Sequence, residues 1–209
     1  MNLKWYYWYF ESAIPEKICD DIVRYGKEQD KEIATTGSTG NNNKKELTEL
    51  EIKNIQKKRK SDVVWMSDRW VYNEIQPYIH QANRSADWNF EWDWSEPCQF
   101  TEYKKGQFYD WHCDSYEEPY NEPENLNRHG KLRKLSMTVS LTDPEEYKGG
   151  DLEFDFRNTD EGSQPRICKE IRKKGSVIVF PSFVWHRVKP VTKGTRHSLV
   201  CWNLGYPYK

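Results

Sequence analysis

The sequence has almost no net charge, since 32 lysines and arginines nearly balance 33 aspartates and glutamates. General nucleic-acid binders usually carry a clear basic excess, so a nucleic-acid partner is not expected. The basic cluster Lys57–Lys60 is predicted to be a solvated surface. No apolar run approaches the ~20 residues of a membrane span, and we expect no membrane contact. The N-terminus lacks the usual features of a signal peptide, which favours a cytoplasmic location.

Cysteine pairs are also missing. The five cysteines are odd in number and scattered along the chain, without the close spacing of a structural zinc site or a disulfide framework. We therefore predict five reduced thiols. They are Cys19, Cys98, Cys113, Cys168 and Cys201.

Aromatic residues, in contrast, are abundant, with ten tryptophans and thirteen tyrosines. Such rings either build the core of an aromatic-rich β-protein or form the platforms of a non-catalytic β-sandwich that binds sugars or a partner protein. We favour the core, and keep the binding module as an alternative.

The first part of the chain predicts helices. Ser12 is a candidate cap for a helix with Pro15 in its first turn. The polar stretch Lys27–Lys60 then predicts a mobile loop at 35–43 followed by a weak helix. A further helix is predicted from Ser67 to Asn83, with a kink or break caused by an internal proline.

The rest of the chain predicts strands, because apolar and polar residues alternate with the period of two that a half-buried strand requires. Helices followed by a run of strands indicate an α+β protein whose β part is a sandwich or jelly roll. The predicted strands cover residues 88–94, 98–104, 135–142, 152–156, 177–180 and 196–202.

Three residues suggest a metal site. His112 and Asp114 are two residues apart in a segment predicted to be extended, so both side chains project from one face. His186 ends the strongest strand pattern of the chain. Two histidines and one carboxylate form the facial ligand set of non-haem Fe(II) oxygenases, although these donors would also accept Mn, Co or Ni.

Arg196 suggests a co-substrate. An arginine that points into a β-core costs several kcal/mol unless an anion accompanies it, and its planar guanidinium suits a carboxylate. Beside an iron site, that anion is expected to be 2-oxoglutarate. Polar residues share one face on each of two predicted strands and would line a wet cavity if they point inward: Gln99, Thr101 and Tyr103, and Ser136, Thr138 and Ser140.

Four segments carry a resemblance to a known family. They are Tyr103-x-x-Gly106-x-x-Tyr109-x-x-His112-x-Asp114, Gly149-Gly150-Asp151-Leu152-Glu153-Phe154, Gly175-Ser176 through His186, and Val188-x-Pro190-Val191-Thr192-x-Gly194-x-Arg196, closing on Trp202. In order and spacing they resemble the Fe(II)/2-oxoglutarate dioxygenases of the prolyl 4-hydroxylase type, in particular the PKHD-like branch. The resemblance extends from about Glu96 to Tyr206.

The resemblance implies a fold. Residues 96–206 would form a double-stranded β-helix, or jelly roll, and residues 1–95 a supporting strand and helices, all in a single domain over 1–209. Many relatives have a tyrosine where Ser140 stands, so the packing around the co-substrate differs here.

The resemblance also implies roles for the site residues. His112, Asp114 and His186 would bind iron, and Arg196 would bind the distal carboxylate of 2-oxoglutarate. Tyr103 and Ser198 are expected to line and support the co-substrate site.

The implied reaction hydroxylates a substrate C–H bond with O2 and releases succinate and CO2, with ascorbate as the reductant. Halogenating relatives lack the carboxylate ligand that Asp114 supplies, which favours hydroxylation. A prolyl residue of a protein or peptide is the expected substrate; free proline, another amino acid and a non-proline protein side chain remain open. The polar segments Lys27–Lys60 and Ser115–Arg133 are candidate lids.

A nucleic-acid demethylase on the same scaffold is a further alternative. Such relatives usually carry a second arginine six residues after the first, and Trp202 stands at that position here. The near-zero net charge also disfavours a nucleic-acid substrate.

Overall fold

The computed structural model describes residues 3–34, 48–157 and 164–208. The helices in these ranges are α1 (Glu16–Glu28), α2 (Glu49–Lys58) and α3 (Arg69–Ser85). The strands are β1 (Trp8–Phe10), β2 (Glu32–Ile33), β3 (Arg59–Lys60), β4 (Asp62–Met66), β5 (Trp94–Ser95), β6 (Cys98–Tyr103), β7 (Phe108–His112), β8 (Leu132–Ser140), β9 (Lys148–Gly149), β10 (Leu152–Asp155), β11 (Arg166–Ile167), β12 (Val177–Pro181), β13 (Trp185–Val188), β14 (Val191–Lys193) and β15 (Arg196–Gly205).

The strands form two main antiparallel sheets. The larger sheet has the order β1-β12-β8-β15-β6-β4-β2, and β5 pairs with β15 beside it. The smaller sheet has the order β11-β10-β13-β7-β3, and β9 pairs with β14. This arrangement confirms the predicted α+β class with a jelly-roll core.

The alternation along β8 explains how the layers pack. Leu135, Met137 and Val139 lie in a cluster with residues of α1 and α3, which cover one face of the larger sheet. A second cluster includes Phe154 of the smaller sheet and Phe180 of the larger one. The polar residues of β8 are therefore directed toward the space between the sheets. Within the described ranges, no helix has the length and apolar character that crossing a membrane requires.

The polar stretch between α1 and β4 contains the weak helix that the sequence predicts. Thr48 caps α2: its hydroxyl accepts from the Glu51 N–H at 3.3 Å, while the Glu51 carboxylate accepts from the Thr48 N–H at 2.8 Å. This reciprocal pair satisfies two N–H groups at the helix start. The loop predicted at 35–43 lies outside the described residues.

The predicted cap of α1 was wrong, and of the kink or break predicted in α3 the break does not occur. Ser12 does not cap α1; Pro15 occupies the cap position without a side-chain hydrogen bond. Ser12 instead has a positive φ of 46°, and its N–H donates to the Ser176 hydroxyl at 3.0 Å. The helix α3 is not broken, since it continues through Pro77 with buried Ile75 and Ile79 on either side.

The strand predicted from Trp88 to Trp94 is largely absent. Asp87 and Asn89 have positive φ values of 58° and 51°, which an extended strand does not allow. The chain turns here because the carbonyl of Asn83 accepts from the N–H groups of Trp88 and Asn89. Regular pairing begins only at β5.

The tryptophans mostly do not build the core. Of the ten, only Trp88 and Trp202 are buried. Trp5, Trp65 and Trp70 are exposed, and the other five are partly exposed. The apolar core instead depends mainly on aliphatic side chains and phenylalanine.

The predicted reduced state of the cysteines is confirmed. All five are free thiols, and only Cys113 is not buried. Burial raises the pKa of Cys19 to about 11 and that of Cys168 to about 12. These thiols are therefore protonated and unreactive at neutral pH.

Candidate functional site

The smaller sheet brings together the three residues predicted to bind metal. His112 ends β7 and is paired with His186 of β13, while Asp114 follows two residues beyond the strand. Asp114 Oδ1 lies 3.7 Å from His112 Nε2, and Asp114 Oδ2 lies 3.6 Å from His186 Nε2. Among the described residues this is the one group of three potential metal ligands, with donor atoms all within 4.8 Å of one another.

Hydrogen bonds aim the two rings. The Nδ1 of His112 lies 2.7 Å from the Asp110 carbonyl, and the Nδ1 of His186 lies 3.0 Å from the Val184 carbonyl. A carbonyl only accepts, so we assign a proton to the Nδ1 of each ring. The lone pair of each Nε2 then faces the carboxylate, as a metal ligand requires.

The protonation states suit a cation. Burial, together with the nearby His186, lowers the pKa of His112 to about 3. Burial alone would raise the pKa of Asp114, but the two histidines, Arg133 and a hydrogen bond from Ser136 outweigh it and lower the pKa. At neutral pH the site therefore presents a neutral His112 ring and an ionised Asp114 carboxylate.

Arg196 is buried on the larger sheet, facing the same cleft. It is 2% exposed and lies opposite Tyr103 in the ladder between β15 and β6. Its Nη1 donates to the Ser198 hydroxyl at 3.3 Å, and its guanidinium carbon lies 5.5 Å from the Tyr103 ring centre. Within the described residues it makes no salt bridge. A buried arginine without a carboxylate partner is unusual, because its desolvation is not compensated.

Gly150 makes room for this arginine. It has a positive φ of 65°, and a Cβ atom at this position would lie 3.0 Å from Arg196 Cδ. A side chain here would therefore be strained and would crowd the arginine. The Gly149-Gly150 segment thus has a packing role beside the cleft.

The metal-binding candidates and Arg196 line one cleft, with about 440 Å³ of empty space including its open mouth. Of the two predicted polar faces, Gln99, Tyr103 and Thr138 do line it, whereas Thr101 is buried against Gln99. The buried Oγ of Ser140 and Nε1 of Trp202 have no hydrogen-bond partner within the described part of the chain. The cleft is lined by Arg59, Gln99, Tyr103, Tyr109, His112, Asp114, Thr138, Leu152, His186, Val188, Arg196, Ser198, Val200 and Trp202.

Arg59 is the clearest residue that the sequence interpretation missed. It was assigned to a solvated basic cluster, but it is 4% exposed and lines the cleft. Its guanidinium donates to Gln99 Oε1 at 2.5 Å and lies 4.5 Å above the Tyr109 ring. The available signal was the period of two in an extended segment, which places Arg59 and Ser61 on one face and Lys60 on the other.

Tyr109 and Trp202 form aromatic walls. The Tyr109 ring stacks on His112 with ring centres 3.5 Å apart. Trp202 is covered by the guanidinium of Arg133, whose central carbon lies 3.9 Å from the ring centre. Both rings are thereby fixed beside the metal-binding candidates.

The segment after Asp114 is anchored at Glu96. The Glu96 carboxylate accepts from the Tyr120 hydroxyl at 3.2 Å and from Arg133 Nε at 2.9 Å, and Arg128 Nε lies 3.5 Å away. The predicted lid at Ser115–Arg133 is thus tied to the larger sheet by buried charges. Its role as a lid stays a prediction.

A family model described as the 2OG-Fe(II) oxygenase superfamily matches residues 98–203. The chain is 37% identical over 107 residues to a PKHD-type hydroxylase of Alteromonas mediterranea, covering 51% of this chain and 42% of that protein. It is 34% identical over 101 residues to a PKHD-type hydroxylase of a Synechococcus strain, covering 48% and 39%. The chain thus spans about two fifths of the length of these relatives.

Solved structures share the fold. The viral collagen prolyl hydroxylase of Paramecium bursaria Chlorella virus-1 superposes with a TM-score of 0.64 at 19% identity, covering 97% of each chain. A prolyl-4-hydroxylase of Pseudomonas putida gives a TM-score of 0.64 at 16% identity, covering 96% of this chain and 92% of that one. At such identities the likeness concerns the fold alone.

Proposed function

The chain belongs to the 2OG-Fe(II) oxygenase superfamily, and from this premise we propose that it hydroxylates a C–H bond, using Fe(II), 2-oxoglutarate and O2. The proposed substrate is a prolyl residue of a protein or peptide. The observation that carries the proposal is a cleft with two distinct features, a ligand set for a metal and a buried arginine that has no acidic partner among the described residues.

The three donors fit iron. His112, Asp114 and His186 offer two imidazole nitrogens and one carboxylate oxygen within 4.8 Å of one another, so small side-chain adjustments would bring all three onto a single ion. Three protein ligands would leave further positions for small molecules. No second set of ligands competes with this one in the described ranges.

Arg196 fits the far carboxylate of 2-oxoglutarate. A carboxylate at its guanidinium would accept two charge-assisted hydrogen bonds and would compensate the buried charge. Ser198 lies within hydrogen-bond distance of Arg196, and Tyr103 lies against its guanidinium. We assign these two residues to the co-substrate site as well.

Bound iron and 2-oxoglutarate would supply the oxidising power: of the two atoms of O2, one enters succinate as CO2 is lost, and the other enters the substrate C–H bond. The protein residues orient and shield this chemistry. The aromatic walls exclude water around the reacting bond, and Arg196 fixes one end of the keto acid. Ascorbate would serve as an external reductant that returns oxidised iron to Fe(II).

The walls of the cleft favour a prolyl substrate. Tyr109, Trp202 and Val200 offer an apolar surface beside His112, which suits a compact ring carrying only C–H bonds. The relatives are described as PKHD-type hydroxylases, and both superposed structures are prolyl hydroxylases. A protein or peptide is therefore the proposed partner.

A nucleic-acid substrate is less well supported, because Trp202 is buried under Arg133 where demethylases usually carry a second arginine.

The test measures succinate formed from 2-oxoglutarate under air, with Fe(II) and ascorbate, first without and then with proline-containing peptides. We expect wild-type turnover that is lost in His112→Ala and partly restored at high 2-oxoglutarate in Arg196→Ala. A hydroxylated peptide, detected as a mass increase of one oxygen atom, would identify the substrate class. An absence of metal-dependent turnover in the wild type would contradict the proposal and favour the binding module.

A further inference from the structure

Asp114 is held differently from the two histidines beside it. His112 and His186 lie in paired strands, and each ring is fixed by the carbonyl two residues earlier in the chain. Asp114 lies two residues beyond the end of β7, outside this ladder. Its orientation must therefore come from contacts with other parts of the fold.

Ser182 holds the backbone of this segment. Its carbonyl accepts from the N–H groups of Asp114 at 2.8 Å and Ser115 at 2.9 Å, and its own N–H donates to the Lys134 carbonyl at 3.0 Å. The residue following β12 thereby ties the end of β7 to β8. Asp114 is thus joined to the larger sheet although His112 belongs to the smaller one.

Ser136 holds the side chain. It is fully buried in β8, opposite Phe180 of β12 on one side and Trp202 of β15 on the other. Its hydroxyl donates to Asp114 Oδ2 at 2.7 Å. A short hydroxyl-to-carboxylate bond from the centre of a sheet restricts rotation of the carboxylate.

The direction of the hydrogen bonds follows from the donors. The ionised carboxylate only accepts, so the single hydroxyl proton of Ser136 is committed to Asp114. The Ser182 hydroxyl, 2.9 Å from that of Ser136, must then donate to it. The two hydroxyls form a one-way chain from Ser182 through Ser136 to Asp114.

We propose that Ser136 is a positioning residue that sets the orientation of the Asp114 carboxylate for metal binding, with Ser182 as its support. This inference rests on the proposed function, because it assumes that Asp114 binds a metal. Partners that orient a metal ligand typically contribute 10- to 100-fold to metal affinity. A purely structural hydroxyl would change the stability of the fold and leave metal affinity unaltered.

The experiment titrates Co(II), which the same donors accept, into the metal-free chain and follows binding by calorimetry. Melting temperatures of the metal-free proteins are measured in parallel. We expect Ser136→Ala to weaken Co(II) binding by about 10- to 100-fold. Ser182→Ala should have a smaller effect, since the direct donor remains. Ser136→Thr should stay close to wild-type affinity, even if its extra methyl group lowers the melting temperature.

Ser176→Ala is the matched control. Ser176 is also fully buried, and its hydroxyl accepts from the Ser12 N–H, away from the cleft. We expect a lower melting temperature with unchanged Co(II) affinity. If the wild type binds Co(II) and Ser136→Ala binds it as tightly, the positioning role is refuted while the proposed function stands. A wild type that binds no metal overturns both.

Discussion

Replacing Arg196 by methionine separates the ligand-binding role of this residue from any structural role. Arg196 is 2% exposed, and its described contacts are one hydroxyl and one aromatic ring, without a carboxylate. We predict that Arg196→Met makes the ligand-free chain more stable while weakening 2-oxoglutarate binding. Methionine fills a similar volume without a charge.

The magnitude follows from three contributions. Burying a charged group costs several kcal/mol after relaxation. The contact with Tyr103 offsets about 0.5–2 kcal/mol of this cost, and the hydrogen bond to Ser198 about 1 kcal/mol. We therefore expect the free energy of unfolding to rise by about 1–2 kcal/mol in the variant.

Arg133→Met is the matched control, because the Arg133 side chain is only 13% exposed but is paired with Glu96 through two nitrogens. Its removal takes away the two shortest charge-assisted hydrogen bonds of Glu96, while Tyr120 and Arg128 remain beside the carboxylate. The free energy of unfolding should therefore fall by about 1.5–3 kcal/mol. Urea denaturation of the metal-free proteins gives both values. Repeating it with metal and 2-oxoglutarate at 100 times its Kd should stabilise the wild type by a further ~2.7 kcal/mol. Arg196→Met should show little of this gain.

The prediction has a clear counter-result. If Arg196→Met destabilises the ligand-free chain as strongly as Arg133→Met, the charge of Arg196 is compensated within the protein. The argument that its desolvation reserves it for a carboxylate would then be wrong.

Three further predictions concern other parts of the chain. Burial alone would raise the pKa of Glu102, but hydrogen bonds from two lysines and His197 lower it to about 2. The contribution of Glu102 to stability is therefore complete above pH 4.5 and is lost as the pH falls toward 2. After allowance for the exposure of the lysines, urea denaturation should show a loss of about 1–2 kcal/mol over this window, and Glu102→Gln should remove this pH dependence. Trp202→Ala should reduce kcat/KM for a peptide by about 10- to 100-fold, with a smaller effect on succinate formation without peptide. Equal losses in the two assays would refute the role of Trp202 as a wall of the substrate site. Glu96→Gln should speed proteolytic cleavage within the segment 115–131, and unchanged cleavage would show that the anchor is dispensable.

The metal-binding candidates could be predicted because their pattern is local. His112 and Asp114 stand two residues apart near the end of one strand, and His186 follows an apolar strand. A single strand pairing, His112 with His186, brings the three together. Arg196 was identifiable because an arginine among inward-facing strand residues is rarely buried without an anion beside it.

Other features depend on contacts that are distant in sequence. Arg59 resembled its lysine neighbours, and its burial depends on Gln99, forty residues later. The strand predicted at 88–94 failed because a local alternation of aromatics does not reveal the turn that Asn83 imposes. The division into a support at 1–95 and a core at 96–206, the cytoplasmic location and the roles of the two lids stay predictions.

The most direct test of the central claim is calorimetric titration of 2-oxoglutarate into the wild-type chain under anaerobic conditions, with and without Fe(II), alongside His112→Ala. We predict binding that requires the metal and is lost in His112→Ala, because the metal and Arg196 would hold opposite ends of one molecule. Binding of equal affinity without metal, or no binding in either condition, would contradict the assignment of this cleft to iron and 2-oxoglutarate.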